Sequence, residues 1–503
     1  MKKEILMSLE VNEKRVAILE DGKLEEFFIE RADAYKMFGN IYKGKVKSIV
    51  PGIGAAFIDL GTKKDGFLYV ADAIESPFGL DSPFEEAEPA GFEGRRERGE
   101  IPRIDEVLKI GQEVFVQVVK EPIRDKGPRL TTHVAIPARY LVLIPGEGKV
   151  GVSRRIDDPK DREQIRQIFS EIELPKECGF IVRTAGEGKT KREFIRDVKY
   201  LAKVWSRIKS DIPRKKAPSL IHQELDLVER IIRDYFTEDM DRIVVDHAEL
   251  YKQVRRFMRL YLPGCRVQVE WFKSGTQSLF EKYNIEKEIE KTFQKKVYLR
   301  SGGHIVIEQT ESLVAIDVNT GKFTGHRDLE ETVYRTNLEA AGEVARQVRL
   351  RDMGGIIITD FIDMVKPDHR RHLFRLFKDV MKKDRAKTNI LQMSELGLVE
   401  MTRQRIRPSL ESAVYNACSY CDGKGVIKSV MTMTIEAVKE IKRAMNHSKD
   451  KVLNVYVHPQ VAERLLREEH KSIRDLEQAS RSRIMVLADP TIHREDINIT
   501  FVK

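Results

Sequence analysis

Several features are scarce in this sequence, and each shortage argues against a class of protein. Only 4 of the 503 residues are cysteine, and Cys178 and Cys265 stand alone in unlike contexts, which argues against a disulfide framework. The longest apolar stretches, such as GGIIITDFIDMV with its two aspartates, fall short of the roughly 20 residues of a membrane-spanning helix. The amino end, MKKEILMSLEVNEK, lacks the apolar core of a signal peptide. We therefore expect a cytoplasmic protein with no membrane span.

The composition is that of a large globular protein with a basic surface. Hydrophobic residues make up 41% of the chain and charged residues 34%, which allows packed cores under a charged surface. The chain is several times longer than a domain of about 100 to 200 residues, so we expect several domains. Lys plus Arg exceed Asp plus Glu by 89 to 80, a balance that favours a polyanionic partner such as nucleic acid.

Short strands with turn residues between them fill the first part of the chain. The opening stretch, EILMSLEVNEKRVAILEDGKLEEFFIER, alternates apolar and polar positions around turn signals at Asn12 and at Asp21-Gly22, which predicts hairpins. Closely spaced runs from NIYKGKVKSIV to GQEVFVQVVKE predict a small barrel. Residues 75–104 are rich in proline, glycine and charge, and we expect them to form a flexible loop within that barrel.

The remainder of the chain mixes helices and strands. Residues 141–223 combine strands such as YLVLIP with charged helices, which predicts an α+β unit. Within 303–390, a hairpin precedes a long helix that ends at Gly354-Gly355, and the buried strand IIITDFIDM follows. Segments after a Cys-x-x-Cys motif outline a small closing α/β domain. The predicted fold class is multidomain, with α/β and α+β parts.

Acidic side chains end both strands of that strand–helix–strand unit. Asp317 ends the run LVAI and Asp360 ends GGIIIT, with Asn319 and Asp363 close by in sequence. A right-handed crossover makes the strands parallel, so their carboxyl ends meet at one edge of the sheet. Oxygen ligands of this kind suit Mg²⁺, which can activate water and neutralise a phosphodiester. The alternative is that each aspartate caps the next turn or helix.

The Cys418-x-x-Cys421 pair beside glycines is typical of half a tetrahedral zinc site. Three completions are open from the residues alone. They are Cys178 with Cys265, a nearby histidine, or a second copy of the chain.

Four stretches together resemble the RNase E/G family of endoribonucleases: LVAIDVNTG, NLEAAGEVARQVRLRDMGGIIITDFIDM, RQRIRPSL and the Cys-x-x-Cys motif. They occur in one order across nearly the whole chain, and the chain is similar to the members without a long disordered tail. The resemblance implies a magnesium-dependent endoribonuclease that cuts single-stranded RNA and leaves 5′-phosphate ends. It also implies stimulation by a 5′-monophosphate and roles in rRNA precursor processing and mRNA decay. The alternative is a non-catalytic RNA-binding or assembly protein.

The resemblance assigns roles to particular positions. Asp317 and Asp360 match the magnesium-holding catalytic aspartates, Asn319 matches the asparagine that orients the attacking water or the phosphate, and Asp363 does not match a metal-binding position. The RNA-binding positions that it implies are the base-stacking Phe57 and Phe67 and the basic Lys126.

A second group of matched positions concerns the RNA 5′ end. The stretch GFIVRTAGEGKT is not a Walker loop, because Arg183 stands where its first glycine belongs. Arg183 and Thr184 instead match a pocket that senses a 5′-monophosphate, for which a guanidinium and a hydroxyl are suited. Arg154 and Val142 match supporting positions, whereas Ala138 departs from the glycine of well-known members.

The resemblance also implies a domain plan and an oligomer. The Cys418–Cys421 pair matches a zinc-link in which each of two subunits supplies two cysteines, so we expect a zinc-linked homodimer or a dimer of such dimers. The implied domains are a structural RNase H-like domain (1–39 with 229–292), an OB-fold barrel (40–132, with the inserted loop 75–104), a 5′-sensor (133–228), a DNase I-like catalytic domain (293–413), the zinc-link (414–427) and a small C-terminal domain (428–503).

Overall fold

The computed structural model divides into two compact units, Met1–Ala413 and Val414–Lys503, each with its own hydrophobic core. No helix in the described part of the chain is both long and apolar enough to cross a membrane. The structure describes residues 2–31, 37–74, 87–89, 102–122, 126–146, 148–156, 158–237, 239–263, 265–273, 275, 277–310, 312–321, 329–404, 410–416, 418–447, 452–480 and 482–502.

The strands are numbered in chain order. Those described in the first unit are β1 (Lys3–Glu10), β2 (Glu13–Glu20), β3 (Lys23–Arg31), β4 (Ile41–Val50), β5 (Ala55–Asp59), β6 (Gly66–Tyr69), β7 (Ala87–Pro89), β8 (Glu113–Lys120), β9 (Arg129–Thr131), β10 (Ile136–Pro137), β11 (Leu141–Pro145), β12 (Val150–Ser153), β13 (Cys178–Val182), β14 (Ser219–His222), β15 (Arg242–Val245), β16 (Gln268–Trp271), β17 (Lys296–Tyr298), β18 (His304–Gln309), β19 (Leu313–Asn319), β20 (Gly355–Asp360), β21 (Thr388–Ile390) and β22 (Leu398–Arg403). Those described in the second unit are β23 (Val452–Val457), β24 (Arg483–Ala488) and β25 (Ile497–Val502).

The described helices are numbered in the same way. They are α1 (Val70–Ala73), α2 (Ile104–Val107), α3 (Pro159–Ser170), α4 (Lys191–Asp211), α5 (Leu227–Tyr235), α6 (Ala248–Tyr261), α7 (Leu279–Lys282), α8 (Ile285–Thr292), α9 (Leu329–Leu350), α10 (Pro367–Met381), α11 (Leu410–Val414), α12 (Val430–His447), α13 (Pro459–Arg467) and α14 (His470–Ser480).

The opening strands form the predicted hairpins. Asn12 and Asp21 adopt φ angles of 61° and 49° at the two turns, a left-handed conformation that Asn and Asp tolerate better than most residues. The strand order of this opening sheet is β16-β15-β1-β2-β3, because β15 joins β1 in parallel and β16 joins β15. The chain therefore returns to its first sheet only after it has built the barrel and the next sheet.

A small barrel follows, as the sequence predicts. Its strand order is β14-β4-β5-β6-β9-β8, and pairing of β4 with β8 closes it. Most of the predicted loop 75–104 lies outside the described residues. The loop prediction is wrong for Ala87–Pro89, which forms β7 along β12 because the edge of β12 offers backbone groups for pairing. It is also wrong at Ile104, where α2 begins.

The middle sheet has the order β10-β11-β13-β12-β7. Its β12 and β13 are parallel, whereas β11 runs antiparallel to β13. Helices α3 and α4 pack on this sheet through buried side chains that include Phe169, Phe194 and Leu201. Because β12 and β13 are parallel neighbours, their carboxyl ends lie together at one edge of the sheet.

The carboxylate sheet, with the order β17-β18-β19-β20-β22-β21, confirms the predicted strand–helix–strand unit. Its β19 and β20 are parallel neighbours that α9 connects. Ala340, Ala341 and Ala345 on α9 are buried and, having no bulk beyond Cβ, let the helix pack closely on the sheet. Both α9 and α10 contribute to the single core on that face.

The buried Arg403 on β22 holds the carboxylate sheet to two loops. Its Nε donates to Asp384 Oδ2 (2.7 Å), and its Nη1 donates to Asp352 Oδ1 (2.8 Å) and to the Met353 carbonyl (2.9 Å). Burial alone would lower the pKa of Arg403, but the two carboxylates raise it above its ordinary value. The guanidinium thus stays charged and ties the loops before β20 and β21 to β22.

Replacing Arg403 by methionine is expected to lower the free energy of unfolding by about 3–5 kcal/mol, because two buried carboxylates lose their cation. Urea denaturation of the variant measures this loss. Thr402→Ala is the matched control, since Thr402 is the exposed neighbour on the same strand. Equal stabilities for the two variants would contradict the role given to Arg403.

The second unit is a small α/β domain, as the sequence predicts. Its sheet has the order β24-β23-β25, with β23 parallel to β24 and antiparallel to β25. Helices α12, α13 and α14 supply its core, which includes Met433, Ile441, Val461 and Leu465. The Cys418–Cys421 pair lies in turns that precede α12.

Candidate functional site

Asp317 on β19 and Asp360 on β20 are direct cross-strand partners in the carboxylate sheet. Buried and exposed residues alternate along both strands, so that Ile316 and Ile357 point into the core beneath α9 and α10. Both aspartates therefore lie on the opposite, open face of the sheet, and both are exposed. Neighbouring strands are about 4.8 Å apart, so the structure brings the two carboxylates together.

Asn319 belongs to the same group, because its Nδ2 donates to Asp317 Oδ2 at 2.6 Å. Partial burial, followed by the charges of Asp317 and Asp363, raises the pKa of Asp360. A bound cation would reduce the repulsion among these carboxylates. Two carboxylates and an amide oxygen are hard ligands of the kind that Mg²⁺ prefers, and the open face leaves room for water and a phosphate. The residues therefore fit the expected metal.

Asn337 on α9 is a buried residue that the sequence interpretation missed. Its Nδ2 donates to the Ile362 carbonyl (2.8 Å), and its Oδ1 accepts from the Ile362 backbone N–H (3.1 Å). Asn337 thus holds the backbone between Asp360 and Asp363. The available signal was a polar residue on the apolar face of the helix, in NLEAAGEVA.

The four residues matched to 5′-end sensing lie at one edge of the middle sheet. Arg183 and Thr184 directly follow β13, and Arg154 directly follows β12. The parallel register of these strands places Arg154 and Thr184 at equivalent positions beyond the strand ends. Val142 is fully buried on β11, the other neighbour of β13. The structure therefore brings these four residues together and assigns Val142 to the supporting core.

Arg183 is held in place by two oxygens. Its Nη1 donates to Asp234 Oδ1 (2.7 Å) and to the Ala138 carbonyl (2.8 Å). Burial alone would raise the pKa of Asp234, but Arg233 and Arg183 hold it well below its ordinary value. Beside this ion pair, Thr184 Oγ1 is buried and has no hydrogen-bond partner among the described residues.

Asp197 on α4 also shapes this edge and was missed from the sequence. Its Oδ2 accepts from the backbone N–H groups of Tyr140 (2.7 Å) and Leu141 (3.2 Å). Burial outweighs these hydrogen bonds and raises the pKa of Asp197 to about 6. The segment that contains Ala138 is therefore fixed from α4, and Ala138 meets Arg183 through its carbonyl rather than its side chain.

The RNA-binding positions matched in the barrel also lie near one another. Phe57 and Phe67 are cross-strand partners with ring centroids 5.9 Å apart at 73°, and both are half-buried. The Phe67 backbone N–H donates to the Pro128 carbonyl (2.8 Å). Lys126, two residues before Pro128, is exposed. Two aromatic rings therefore lie side by side on the barrel, and an exposed cation is close by in the neighbouring segment.

The Cys418–Cys421 pair forms a compact turn. The Gly425 backbone N–H donates to Cys421 Sγ (3.3 Å), and the backbone N–H groups of Tyr420 and Cys421 lower the pKa of Cys418. Asp422 and Gly423 adopt positive φ angles of 48° and 79°, which lets the chain turn tightly behind the thiols. Among the described residues, no group of three or more His, Cys, Asp or Glu side chains is arranged to hold a metal.

His493 packs on this turn, yet both of its ring nitrogens are engaged. Its Nδ1 accepts from the Glu495 backbone N–H (3.1 Å), so its Nε2 carries the proton and donates to the Tyr420 carbonyl (2.6 Å). Cys178 is buried in the core of the middle sheet, and Cys265 packs against the core of the opening sheet. Neither the histidine nor these cysteines are therefore suited to complete a zinc site with the pair.

Comparison with known proteins covers nearly the whole chain. Residues 135–406 match the Ribonuclease E/G family, residues 417–502 match the RNase E/G thioredoxin-like domain, and residues 35–132 match the S1 RNA binding domain. The barrel is thus an S1 domain, the OB-fold expected from the sequence.

Full-length relatives agree. Ribonuclease G of Salmonella typhimurium (strain SL1344) is 40% identical and that of Escherichia coli (strain K12) 39% identical, each over 100% of both chains. Ribonuclease E of Escherichia coli (strain K12) is 36% identical over 95% of this chain and 44% of its own length. The chain therefore belongs to the ribonuclease E/G family and is similar to ribonuclease G over its full length.

Proposed function

We propose that this protein is a magnesium-dependent endoribonuclease that cuts single-stranded RNA at the Asp317–Asp360 pair and leaves 5′-phosphate ends. Its family makes it a hydrolase of the endoribonuclease type. The observation that carries the metal and the site is the in-register pair of carboxylates on the open face of the carboxylate sheet. Processing of rRNA precursors and mRNA decay are the proposed settings.

Each residue of the site has a proposed part in cleavage. Asp317 and Asp360 hold the metal, and Asn319, already bonded to Asp317, orients the attacking water or the phosphate. Bound Mg²⁺ supplies charge neutralisation at the phosphodiester and lowers the pKa of water. Asn337 keeps the backbone beyond Asp360 in place.

The barrel holds the RNA strand in this proposal. Phe57 and Phe67 stack on bases, an interaction that contributes about 1–3 kcal/mol for each base with little sequence preference. Lys126 contacts the phosphate backbone. The cleavage site is then selected by the accessibility of single-stranded RNA more than by its sequence.

A purified-protein assay separates this function from that of a non-catalytic RNA-binding or assembly protein. A single-stranded RNA is incubated with the protein in Mg²⁺ or in EDTA, and the product ends are mapped. Internal cuts that need Mg²⁺ and leave 5′-phosphates are expected. Binding without cuts in Mg²⁺ would instead support the alternative.

The 5′-monophosphate pocket at Arg183 and Thr184 is proposed to stimulate cleavage. The Arg183 guanidinium already lies in a fixed position, and the buried Thr184 hydroxyl is available to donate to a phosphate oxygen. A charged oxygen that accepts from a buried hydroxyl gains a hydrogen bond in a site of low dielectric. A terminal monophosphate therefore suits this edge of the sheet.

Thr184→Val is expected to reduce stimulation by a 5′-monophosphate about tenfold, because one hydrogen bond to a charged oxygen is lost. The same change should leave thermal stability equal or slightly higher, since it removes a buried hydroxyl without a protein partner. The measurement is the cleavage rate of one RNA with a 5′-monophosphate divided by that with a 5′-triphosphate. Ser219→Ala, which also deletes a buried hydroxyl without a described partner, is the control and should leave this ratio unchanged. An unchanged ratio in Thr184→Val would contradict the pocket.

We further propose that the Cys418–Cys421 pair binds zinc together with the same pair of a second subunit. The pair offers two thiols on one turn, and neither the histidine beside it nor the two lone cysteines are suited to complete the site. Two identical halves on a two-fold axis supply four thiolates, the usual number for structural zinc. The proposed assembly is a zinc-linked homodimer or a dimer of such dimers.

A further inference from the structure

We propose that Tyr298 and His304 form a subsite that binds one nucleobase of the RNA beside the Asp317–Asp360 pair. This subsite rests on the proposed function, because its ligand is the strand that the aspartates cut. It goes further by naming the residues that position the strand on the carboxylate sheet itself, outside the barrel.

Strand register places the two rings in line with the proposed active site. Tyr298 on β17 is the cross-strand partner of His304 on β18, and His304 is the partner of Asn319 on β19. Side chains of cross-strand partners share a face, so both rings lie on the open face with Asn319. Tyr298 is thus two strand spacings, about 10 Å, to the side of the residue that bonds Asp317.

Tyr298 is an exposed aromatic residue on the open face of the sheet. The residue is 69% exposed, and its ring centroid is 6.2 Å from that of His304, with 51° between the ring planes. The two rings are therefore neighbours on an open surface, with a tyrosine face available to a planar ligand. Single-stranded RNA offers such ligands, since every base has a π face.

The charge beside Tyr298 also suits RNA. Lys296 Nζ lies 5.3 Å from the Tyr298 ring centroid, and Lys296 forms no ion pair among the described residues. Its cross-strand neighbour Val306 is in turn the partner of Asp317, so this cation stands in the same row as the aspartates. In this proposal the phosphate backbone runs along the row from the metal at the two aspartates to Lys296. A base of the same strand then lies against Tyr298.

His304 is held more firmly than Tyr298. A side chain at Gly321 would place its Cβ 3.1 Å from His304 Nδ1 and 2.6 Å from the Gly302 carbonyl, so the turn packs closely around the imidazole. The imidazole thus offers a fixed side to the subsite.

Binding is tested without cleavage, in EDTA, with single-stranded RNAs that carry 2-aminopurine at successive positions around a mapped cut. The fluorescence of the probe falls when the base stacks on a ring. With the wild type, we expect the fluorescence to fall at a single position, which is either the first or the second nucleotide from the cut. Tyr298→Ala should lose this quenching and Tyr298→Phe should keep it.

Trp271→Ala is the matched control. Trp271 is also an exposed aromatic (47%) with a lysine over its ring, Lys273 at 5.5 Å, but it lies in the opening sheet. The control should quench as the wild type does. Loss of quenching to the same degree in both alanine variants would mean general attraction of RNA to exposed aromatics, and it would overturn the subsite.

A second measurement tests whether Tyr298 acts through the base that it contacts. Tyr298→Ala is expected to raise the KM for cleavage about tenfold with normal RNA, and to have no further effect on RNA that is abasic at the quenched position. An equal rise with both RNAs would overturn the subsite. Failure of the proposed function is seen separately, as full cleavage by Asp360→Asn, and does not alter the binding result in EDTA.

Discussion

Asp360→Asn is expected to lower the rate of RNA cleavage about a thousandfold or more. The substitution keeps the size and position of the side chain but removes one of the two charges that we propose hold the metal on the open face of the carboxylate sheet. Stabilisation of charge at the reacting phosphate is among the largest single contributions to catalysis, and it depends on that metal. Asp317→Asn should behave in the same way. Single-turnover cleavage of a labelled single-stranded RNA measures both losses.

Asp363→Asn is the matched control for charge. Asp363 is exposed, and its charge also raises the pKa of Asp360, yet it lies off the end of β20. This variant should cleave within a few-fold of the wild type. All three variants should bind RNA as the wild type does, because the barrel is untouched. Undiminished cleavage by Asp317→Asn or Asp360→Asn would contradict the assignment.

The double variant Cys418→Ser/Cys421→Ser is expected to lose both zinc and the subunit link. A structural zinc site needs thiolates and contributes about 10 kcal/mol or more of binding free energy, so its removal should shift the protein to the single chain at micromolar concentrations. Zinc content and molar mass in solution measure the two losses together. The wild type should hold one zinc for every two chains.

Cys265→Ser is the control for this prediction, because Cys265 is a lone cysteine that packs against the core of the opening sheet. It should keep both the zinc and the mass of the wild type. One zinc for each chain would contradict the shared site and indicate a self-contained one. The engaged nitrogens of His493 make that result unexpected.

Local sequence signals are sufficient for features that depend on a single turn or on consecutive elements of the chain. Asn12 and Asp21 marked their hairpins because few other side chains tolerate a left-handed turn. The apolar runs before Asp317 and Asp360, with a long helix between them, were sufficient to predict parallel neighbouring strands. The direct pairing of the two aspartates depends in addition on the strand register, which only the structure gives.

Long-range partners left no such signal. The Arg183–Asp234 pair joins the end of β13 to α5, and Asp197 reaches from α4 to the segment before β11, so no spacing in the sequence relates them. Asn337 was visible only as a polar residue on a buried helix face, and its partner Ile362 lies beyond the next strand. The β7 strand formed within a predicted loop because its partner is the edge of another sheet.

The residues that surround the aspartates on the open face of the carboxylate sheet also could not be predicted from the sequence. Strand order decides which residues stand beside the aspartates, and the positions of Tyr298 and His304 follow only from the pairing of β17 with β18 and of β18 with β19. The sequence therefore predicts the candidate catalytic residues, whereas the fold determines which residues lie beside them.

The most direct measurement for this account is metal binding at the carboxylate pair, separate from cleavage. Mn²⁺, a divalent cation that takes oxygen ligands like those of Mg²⁺, is titrated into the wild type, Asp317→Asn, Asp360→Asn and Asp363→Asn, and bound Mn²⁺ is measured by electron paramagnetic resonance. We expect binding in the wild type and in Asp363→Asn, with loss of that binding in the other two variants. Unchanged Mn²⁺ binding in Asp317→Asn and Asp360→Asn would contradict the proposal that these aspartates hold the catalytic metal.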